Sequence, residues 1–460
     1  MKHARRRVLS VVALLLVAMP FARAATHTVR LDGTGDFSAI QSAIDACAPG
    51  DTVLVAPGTY TGSGNRNLDF HGVDLTLLSQ AGRDQTIIDC QQMGRGIYLH
   101  TGESIASTIQ GFTVRSAAIE GLNGGGLYCR DSGCTLIQMR FEYCRASHGG
   151  GCEFASSNAR VQDSEYLGNA GLGTGGAFSI GYSVVHLENV LLEGNHAGAG
   201  GGIRLSFSTL GLNECELLGN SCAGDGGALS VQNESEASIS SSVFRDNQGS
   251  DGGAVALART PDVEIRDCVF EGNIGTRYGG AIWYESYSNA MRNAPVIEDC
   301  LFLGNTAHGG GAIGLWLNAS PRITRCTLVG NSDTGWGGGG ISCINASHPW
   351  LEQVLIVGNP GGGIYTWEAS QPVLTCSDVW NNPGGNFTGN MVDPTGTNGN
   401  LSVDPRFCLG LNPADPYSLQ AASPCAPAGN DCGLQIGARG VGCEVVASES
   451  KSWGEVKSLY

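Results

Sequence analysis

The chain has 460 residues, with 42 acidic side chains against 26 Lys and Arg, for a formal net charge of −16. That balance, with lysine only at positions 2, 451 and 457, argues against nucleic acid or anionic lipid as an electrostatic partner. Seventy glycines exclude a helical core, because each interior glycine costs a helix roughly 0.5–1 kcal/mol relative to alanine.

Lys2, Arg5, Arg6 and Arg7 precede the apolar run Val8–Val17 and the small-x-small step Ala22-Arg23-Ala24. Residues 1–25 therefore read as a secretory signal peptide, with a run too short for a comfortable membrane span. No other stretch is long and apolar enough for an anchor. The expectation is a secreted or outer-membrane-associated protein with no transmembrane anchor in the mature chain. Residues 26–110 then supply an N-terminal cap and the first coils. Val29 and Leu31 mark a strand, Asp32–Asp36 a turn, and Phe37, Ile40, Ala43 and Ile44 one apolar stripe of a short helix. Pro49-Gly50-Asp51 ends that helix before the strand Thr52–Val55. Asp32-Gly33-Thr34-Gly35-Asp36-Phe37, with Ile40, resembles the N-terminal cap of pectin-lyase-like proteins, including pectin methylesterases. That resemblance implies the cap alone. The esterases' G-x-x-D-F-I-F-G motif has no counterpart, since His71-Gly72 follows Asp69-Phe70.

Residues 111–400 repeat. A glycine pair, a small residue and an aliphatic recur with the last glycine at 125, 150, 176, 201, 227, 253, 280, 311, 339 and 362. An asparagine keeps the same beat at Asn169, Asn195, Asn220, Asn247, Asn273, Asn305, Asn331 and Asn359. Such a period means a solenoid whose units bury apolar faces only against their neighbours. Within each unit apolar residues alternate, as at Ile203/Leu205, Leu229/Val231 and Val255/Leu257, which is the strand period. Stacked parallel strands would bring identical amides about 4.8 Å apart, so the asparagines are expected to form a hydrogen-bonded ladder. Cys268, Cys300 and Cys326 share one inward position, where a thiol behaves as a small hydrophobe.

Phe244-Arg-Asp-Asn247, Phe270-Glu-Gly-Asn273 and Phe302-Leu-Gly-Asn305 match F-x-x-N, and Gly279-Gly-Ala-Ile282 and Gly310-Gly-Ala-Ile313 match G-G-A-[ILV]. Over residues 120–365 this pairing resembles the repeats of chlamydial polymorphic outer-membrane proteins and other bacterial right-handed β-helix proteins. The resemblance implies a surface or secreted β-helix, often adhesive. It does not extend to those proteins' terminal barrel, because nothing after Asn400 alternates in the ten-residue segments a barrel needs. The fold expected is all-β: one right-handed parallel β-helix with a helical N-terminal cap and a Cys-rich C-terminal cap.

That second cap spans residues 401–445, and 446–460 form a flexible tail in which Trp453, Val456 and Leu459 fall three apart. Seventeen cysteines in an exported chain suggest some disulfides. The pairs open from sequence are Cys129 with Cys134, and combinations of Cys425, Cys432 and Cys443.

Two clusters carry the candidate chemistry. Asp225 and Asp251 precede the glycine pair in successive coils, and Arg277, Tyr278 and His308 hold nearby turn positions further along. An enzyme would use Asp225, Asp251, Arg277 and His308; the two carboxylates are also the candidate Ca²⁺ ligands. Neutralisation of the acids by Arg277 is the plainer reading. His148 and His196 share that edge but are too scattered for one metal site. At outward strand positions the later coils carry Trp283, Trp316, Tyr365 and Trp367, flat rings suited to stacking on sugars. The competing expectation is that the insertion Tyr284–Pro295 folds over and buries them. The sequence thus reads as a non-catalytic, glycan- or envelope-binding β-helix requiring no cofactor, with a polysaccharide or envelope component as partner. A lyase or hydrolase acting on an acidic polysaccharide and a purely structural envelope protein are the rivals.

Overall fold

In a computed structural model of the chain, residues 23–259, 262–286 and 294–443 are described. Most of the segment read as a signal peptide, residues 446–460 and the centre of the Tyr284–Pro295 insertion lie outside these residues. The alternating segments form parallel strands that stack coil on coil into a right-handed parallel β-helix with almost no α-helix. Among the described residues three sheets wrap the core, of 25, 13 and 8 strands. Register is kept over long distances: Val255 pairs with Ile282, and the row continues through Ile313, Ile341 and Ile364. The glycine pair turns the corner into this 13-stranded sheet. Gly279 has φ 62°, and a Cβ at Gly280 would run into the Gly311 carbonyl oxygen.

Identical residues stack inside. Phe244, Phe270 and Phe302 lie ring on ring, with centroids 4.8 and 4.9 Å apart. Each is fully buried, and such burial favours the fold by about 1.5–3 kcal/mol per ring. The asparagines form the ladder at one corner. The backbone N–H and side-chain Nδ2 of Asn247 both donate to Asn273 Oδ1, at 3.0 and 2.9 Å, and Asn247 Nδ2 also donates to the Leu217 carbonyl. The same pattern runs from Asn169 through Asn359 and continues to Asn382. A second, unforeseen ladder of serines occupies another corner, where the N–H of Ser157, Ser183 and Ser208 donates to the hydroxyl of Ser183, Ser208 and Ser235 in turn. Cys268, Cys300 and Cys326 are buried in one column.

At the N-terminal end the helix Ile40–Ile44 buries Ile40, Ala43 and Ile44 against the first coils, and Asn65 Oδ1 accepts the Ile40 N–H at 2.9 Å. The C-terminal segment is placed differently from expectation. It does not close the end of the solenoid alone but runs back along the outside of the 25-stranded sheet. There Leu419, Cys425 and Ile436 cover Leu355 and Val357, with Val329 and Trp380 packed alongside. Gly437 N–H donates to the Gln353 carbonyl and Ala438 N–H to Thr327 Oγ1.

The disulfides are Cys376–Cys432 and Cys408–Cys443, which corrects the sequence pairings. Cys129 and Cys134 are unbonded thiols inside the core. Cys425 is also a free thiol, directed at Asp378 Oδ2 at 3.3 Å. Cys432 was missed because its partner, Cys376, belongs to a coil 56 residues earlier, and Cys443 because the segment folds back on itself to meet Cys408.

Asn273→Ala removes the acceptor of two Asn247 donors and the side-chain donor to Asn305 Oδ1 and the Phe244 carbonyl. The expected cost is about 2–4 kcal/mol in urea unfolding, against less than about 0.5 kcal/mol for the exposed Asn158→Ala.

Candidate functional site

The outer face of the 13-stranded sheet carries Trp283, Trp316 and Tyr365, the adjoining 8-stranded sheet carries Asp251, Arg277 and Tyr278, and strand register sets both in rows. One row runs Tyr98, Tyr128, Glu153, Ser179, Arg204 and Ser230, and continues through Ala256, Trp283, Gly314, Ser342 and Tyr365. Three chemical zones lie along this row and the edge of the 8-stranded sheet beside it.

The first zone was not singled out from sequence. The rings of Tyr98 and Tyr128 stack at 5.5 Å and 4°. The Arg95 guanidinium lies 4.6 and 5.2 Å from their centroids. Its Nε and Nη2 donate to the Gly124 and Asn123 carbonyls, both at 2.8 Å. Asn123 Nδ2 in turn donates to Glu153 Oε1 at 3.0 Å. Glu153 is 8% exposed, and its Oε2 is buried without a hydrogen-bond partner. Burial pushes its pKa up to about 7, against lowering by the Asn123 bond and the Arg95 charge. At the edge, His100 Nε2 is 3.2 Å from Asp69 Oδ2, and His71 Nδ1 is 3.3 Å from the same oxygen. The available signal was the shared strand position of the two tyrosines. The glycine marker begins at Gly125, three residues before Tyr128, and has no counterpart before Tyr98, so the pair went unaligned.

The second zone holds the sequence-predicted acids. Asp225 and Asp251 occupy adjacent coils, joined by Gly226 N–H donating to the Asp251 carbonyl at 2.9 Å. Asp251 is 1% exposed and is held by Arg277, whose Nε donates to Oδ1 at 3.0 Å and whose Nη2 pairs with Oδ2. Burial and the Asp251 charge push the Asp225 carboxyl up, while Arg277 and Arg204 pull it back. Arg204 also binds Ser230 Oγ and Gln232 Oε1, at 3.0 and 2.7 Å. His308 does not reach this pair; it is exposed and edges onto Trp336 at 5.9 Å. Among the described residues no third carboxylate, imidazole or thiol joins Asp225 and Asp251 at ligand distance. As candidate catalytic residues or Ca²⁺ ligands they are therefore a charge cluster balanced by arginine.

The third zone is aromatic. Tyr278 stacks on Trp316 at 5.2 Å and lies 5.1 Å from Trp336, and the two tryptophans are 6.1 Å apart. All three rings are partly exposed, as is Tyr365, and Trp367 is 47% exposed. Trp283 departs from the surface position expected of it. It is 6% exposed, packed with Ala256, Ala258 and Tyr278, because the small neighbours in its row leave a hollow that its ring fills. Tyr278 and Trp336 were not among the predicted contacts. Tyr278 ends the strand Ile274–Tyr278 of the 8-stranded sheet and Trp336 lies in the turn before its coil's glycines, so neither belongs to the 13-stranded sheet.

A family profile described as a right-handed β-helix region matches residues 215–336. No curated protein sequence matches the chain. Among solved structures, the catalytic domain of a GH87 α-1,3-glucanase bound to nigerose aligns at 11% identity. It covers 80% of this chain and 68% of its own, with a TM-score of 0.47. Pectate lyase Pel9A aligns at 14% identity over 62% of this chain and 76% of its own, TM-score 0.38. The Azotobacter vinelandii mannuronan C-5 epimerase AlgE6 A-module aligns at 17% identity over 80% of this chain and 95% of its own, TM-score 0.32. These are likenesses of fold.

Two outcomes follow. Trp283→Ala should destabilise the protein by roughly 3–5 kcal/mol in denaturant titration, as an interior ring does. Glu153 is expected to make stability depend on pH. Its folded pKa lies above the ordinary 4.5, at about 7, so its favourable contribution is full below 4.5 and is lost as pH rises to 7. The loss is on the order of 3 kcal/mol. The melting temperature should fall across that window, and Glu153→Gln should flatten the fall.

Proposed function

We propose that this protein is exported and binds a neutral polysaccharide along the outer face of the 13-stranded sheet. The observation that carries the reading is the stacked, partly exposed group Tyr278, Trp316 and Trp336, with Tyr365 and Trp367 in the following coils. Flat rings on a rigid parallel sheet can stack on pyranose faces without backbone movement. The stacked Tyr98 and Tyr128 repeat that arrangement near the other end of the same face. A neutral glycan fits better than a polyanion. The net charge of −16 repels acidic chains, and the arginines of this face are already engaged by carboxylates, carbonyls and hydroxyls.

A second reading is favoured by one group. Glu153, its pKa pushed up by burial to about 7 and one oxygen unpartnered beside Tyr128, has the properties of a general acid or base. In that reading the first zone cleaves the chain that the aromatic zone holds. It replaces Asp225 and Asp251 as the seat of an enzymatic alternative.

Retention on gels of neutral and of uronic-acid polysaccharides tests both. Trp316→Ala and Trp367→Ala should each weaken retention on the cognate neutral polymer, up to about tenfold. Trp367→Ala should leave the melting temperature unchanged. Equal retention of wild type and both variants on every polymer would defeat the binding reading. Chain shortening abolished by Glu153→Gln would install the enzymatic one.

A further inference from the structure

The N-terminal cap gathers three metal-binding side chains that the sheet face does not use. His27 lies in the strand Thr26–Val29, Cys47 follows the helix Ile40–Ile44, and Asp51 precedes the strand Thr52–Val55. Pairing of Thr26 with Thr52 fixes the two strands side by side. The chain leaving the helix, where Cys47 N–H donates to the Ile44 carbonyl at 3.0 Å, brings the thiol against them. One nitrogen of His27, the sulfur of Cys47 and one oxygen of Asp51 all lie within 4.8 Å of one another. No other group of three such residues meets that condition among the described residues.

The donors are positioned rather than merely near. Asp51 is 6% exposed; its Oδ1 accepts Ala25 N–H at 2.7 Å and its Oδ2 accepts Ala48 N–H at 2.8 Å. Each oxygen keeps a further lone pair. His27 Nε2 is shielded from solvent and makes no hydrogen bond, standing 3.5 Å from Asp51 Oδ2. The Phe37 ring meets the imidazole edge-on at 5.9 Å and limits its rotation. Cys47 is partly buried, with Sγ 3.3 Å from the Ala43 carbonyl.

We propose that His27, Cys47 and Asp51 bind a single Zn²⁺. A mixed nitrogen, sulfur and oxygen set suits a borderline-soft ion and disfavours Ca²⁺ or Mg²⁺, which take oxygen donors. Three protein ligands leave the fourth tetrahedral position to water. Zinc bonds of about 2.0–2.3 Å require the donors to draw together by about an ångström, within the reach of side-chain rotation. Binding joins the first strand, the helix exit and the second strand at the end of the solenoid. It therefore stabilises the folded chain only.

The test is titration of the metal-free protein with Zn²⁺ alone against a chromophoric chelator, with thermal melts of the same samples. One equivalent should bind and raise the melting temperature. Co²⁺ in its place should give a thiolate-to-metal charge-transfer band. Cys47→Ser and His27→Gln should each weaken binding about tenfold or more, and Cys47→Ser should abolish the band. Absence of zinc binding by the wild type would overturn the site, leaving His27 and Asp51 as an ion pair. Unchanged affinity and an unchanged band in Cys47→Ser would overturn it equally, by placing the metal on another thiol. His27→Gln keeps the thiol and reports independently if Cys47→Ser alters folding.

Discussion

Buried amide-to-amide hydrogen bonding between successive coils is the constraint on which the rest of the molecule depends. Each asparagine of the ladder is fully buried, so an unmade bond would leave a desolvated donor or acceptor at a cost of about 1–3 kcal/mol. A coil shifted by one residue would lose these bonds and would also turn its Phe and Ile side chains outward. The ladder and the alternating pattern therefore enforce one register, and the serine ladder pins a second corner. Register, once fixed, places residues from remote parts of the chain in straight rows on the outer faces.

Those rows determine the chemistry of the surface. Where a carboxylate falls beside an arginine from the next coil, the charge is neutralised, as Arg277 does for Asp251 and as Arg115 does for Asp89. Where it falls beside rings, burial dominates. Glu153 has Tyr128 before it and Ser179 after it in its row, and its nearest cation is held by carbonyls and tyrosine faces. Two acidic side chains on adjoining sheets thus acquire opposite character. Asp251 is paired with Arg277, and the buried Glu153 carboxyl is pushed up towards neutrality.

The architecture was legible in the sequence because glycine and asparagine each have one physical reason to recur at the corner of every coil. Glycine answers to positive φ and close carbonyl approach, asparagine to the stacked amide. The inward Phe and Cys columns followed from the same alignment. Serine gave no comparable signal, since it is equally common on solvated turns, so its ladder was invisible beforehand. Trp283 was placed on the correct face, yet exposure depends on the bulk of its neighbours. The small side chains at Ala256 and Gly314 let it sink beneath Tyr278. Asp225 and Asp251 were correctly placed in neighbouring coils, and the dominance of Arg277 was a matter of side-chain reach that spacing does not encode. Tyr98 and the disulfide partners lay where the repeat markers are absent, and there the sequence offered no ruler; Tyr128 followed the first marker glycine but had no marked partner one coil earlier.

The coil between Trp283 and Trp316 is longer than its neighbours, yet its pairing is undisturbed. Glu285 meets Trp316 on one side of the insertion, and Val296 meets Arg322 on the other. A corner of this solenoid therefore accepts added chain without transmitting any displacement to the adjoining ladders. Such a corner is a grafting point. Recognition loops can be exchanged there, next to the aromatic zone, while the load of holding the scaffold together stays with the coils above and below.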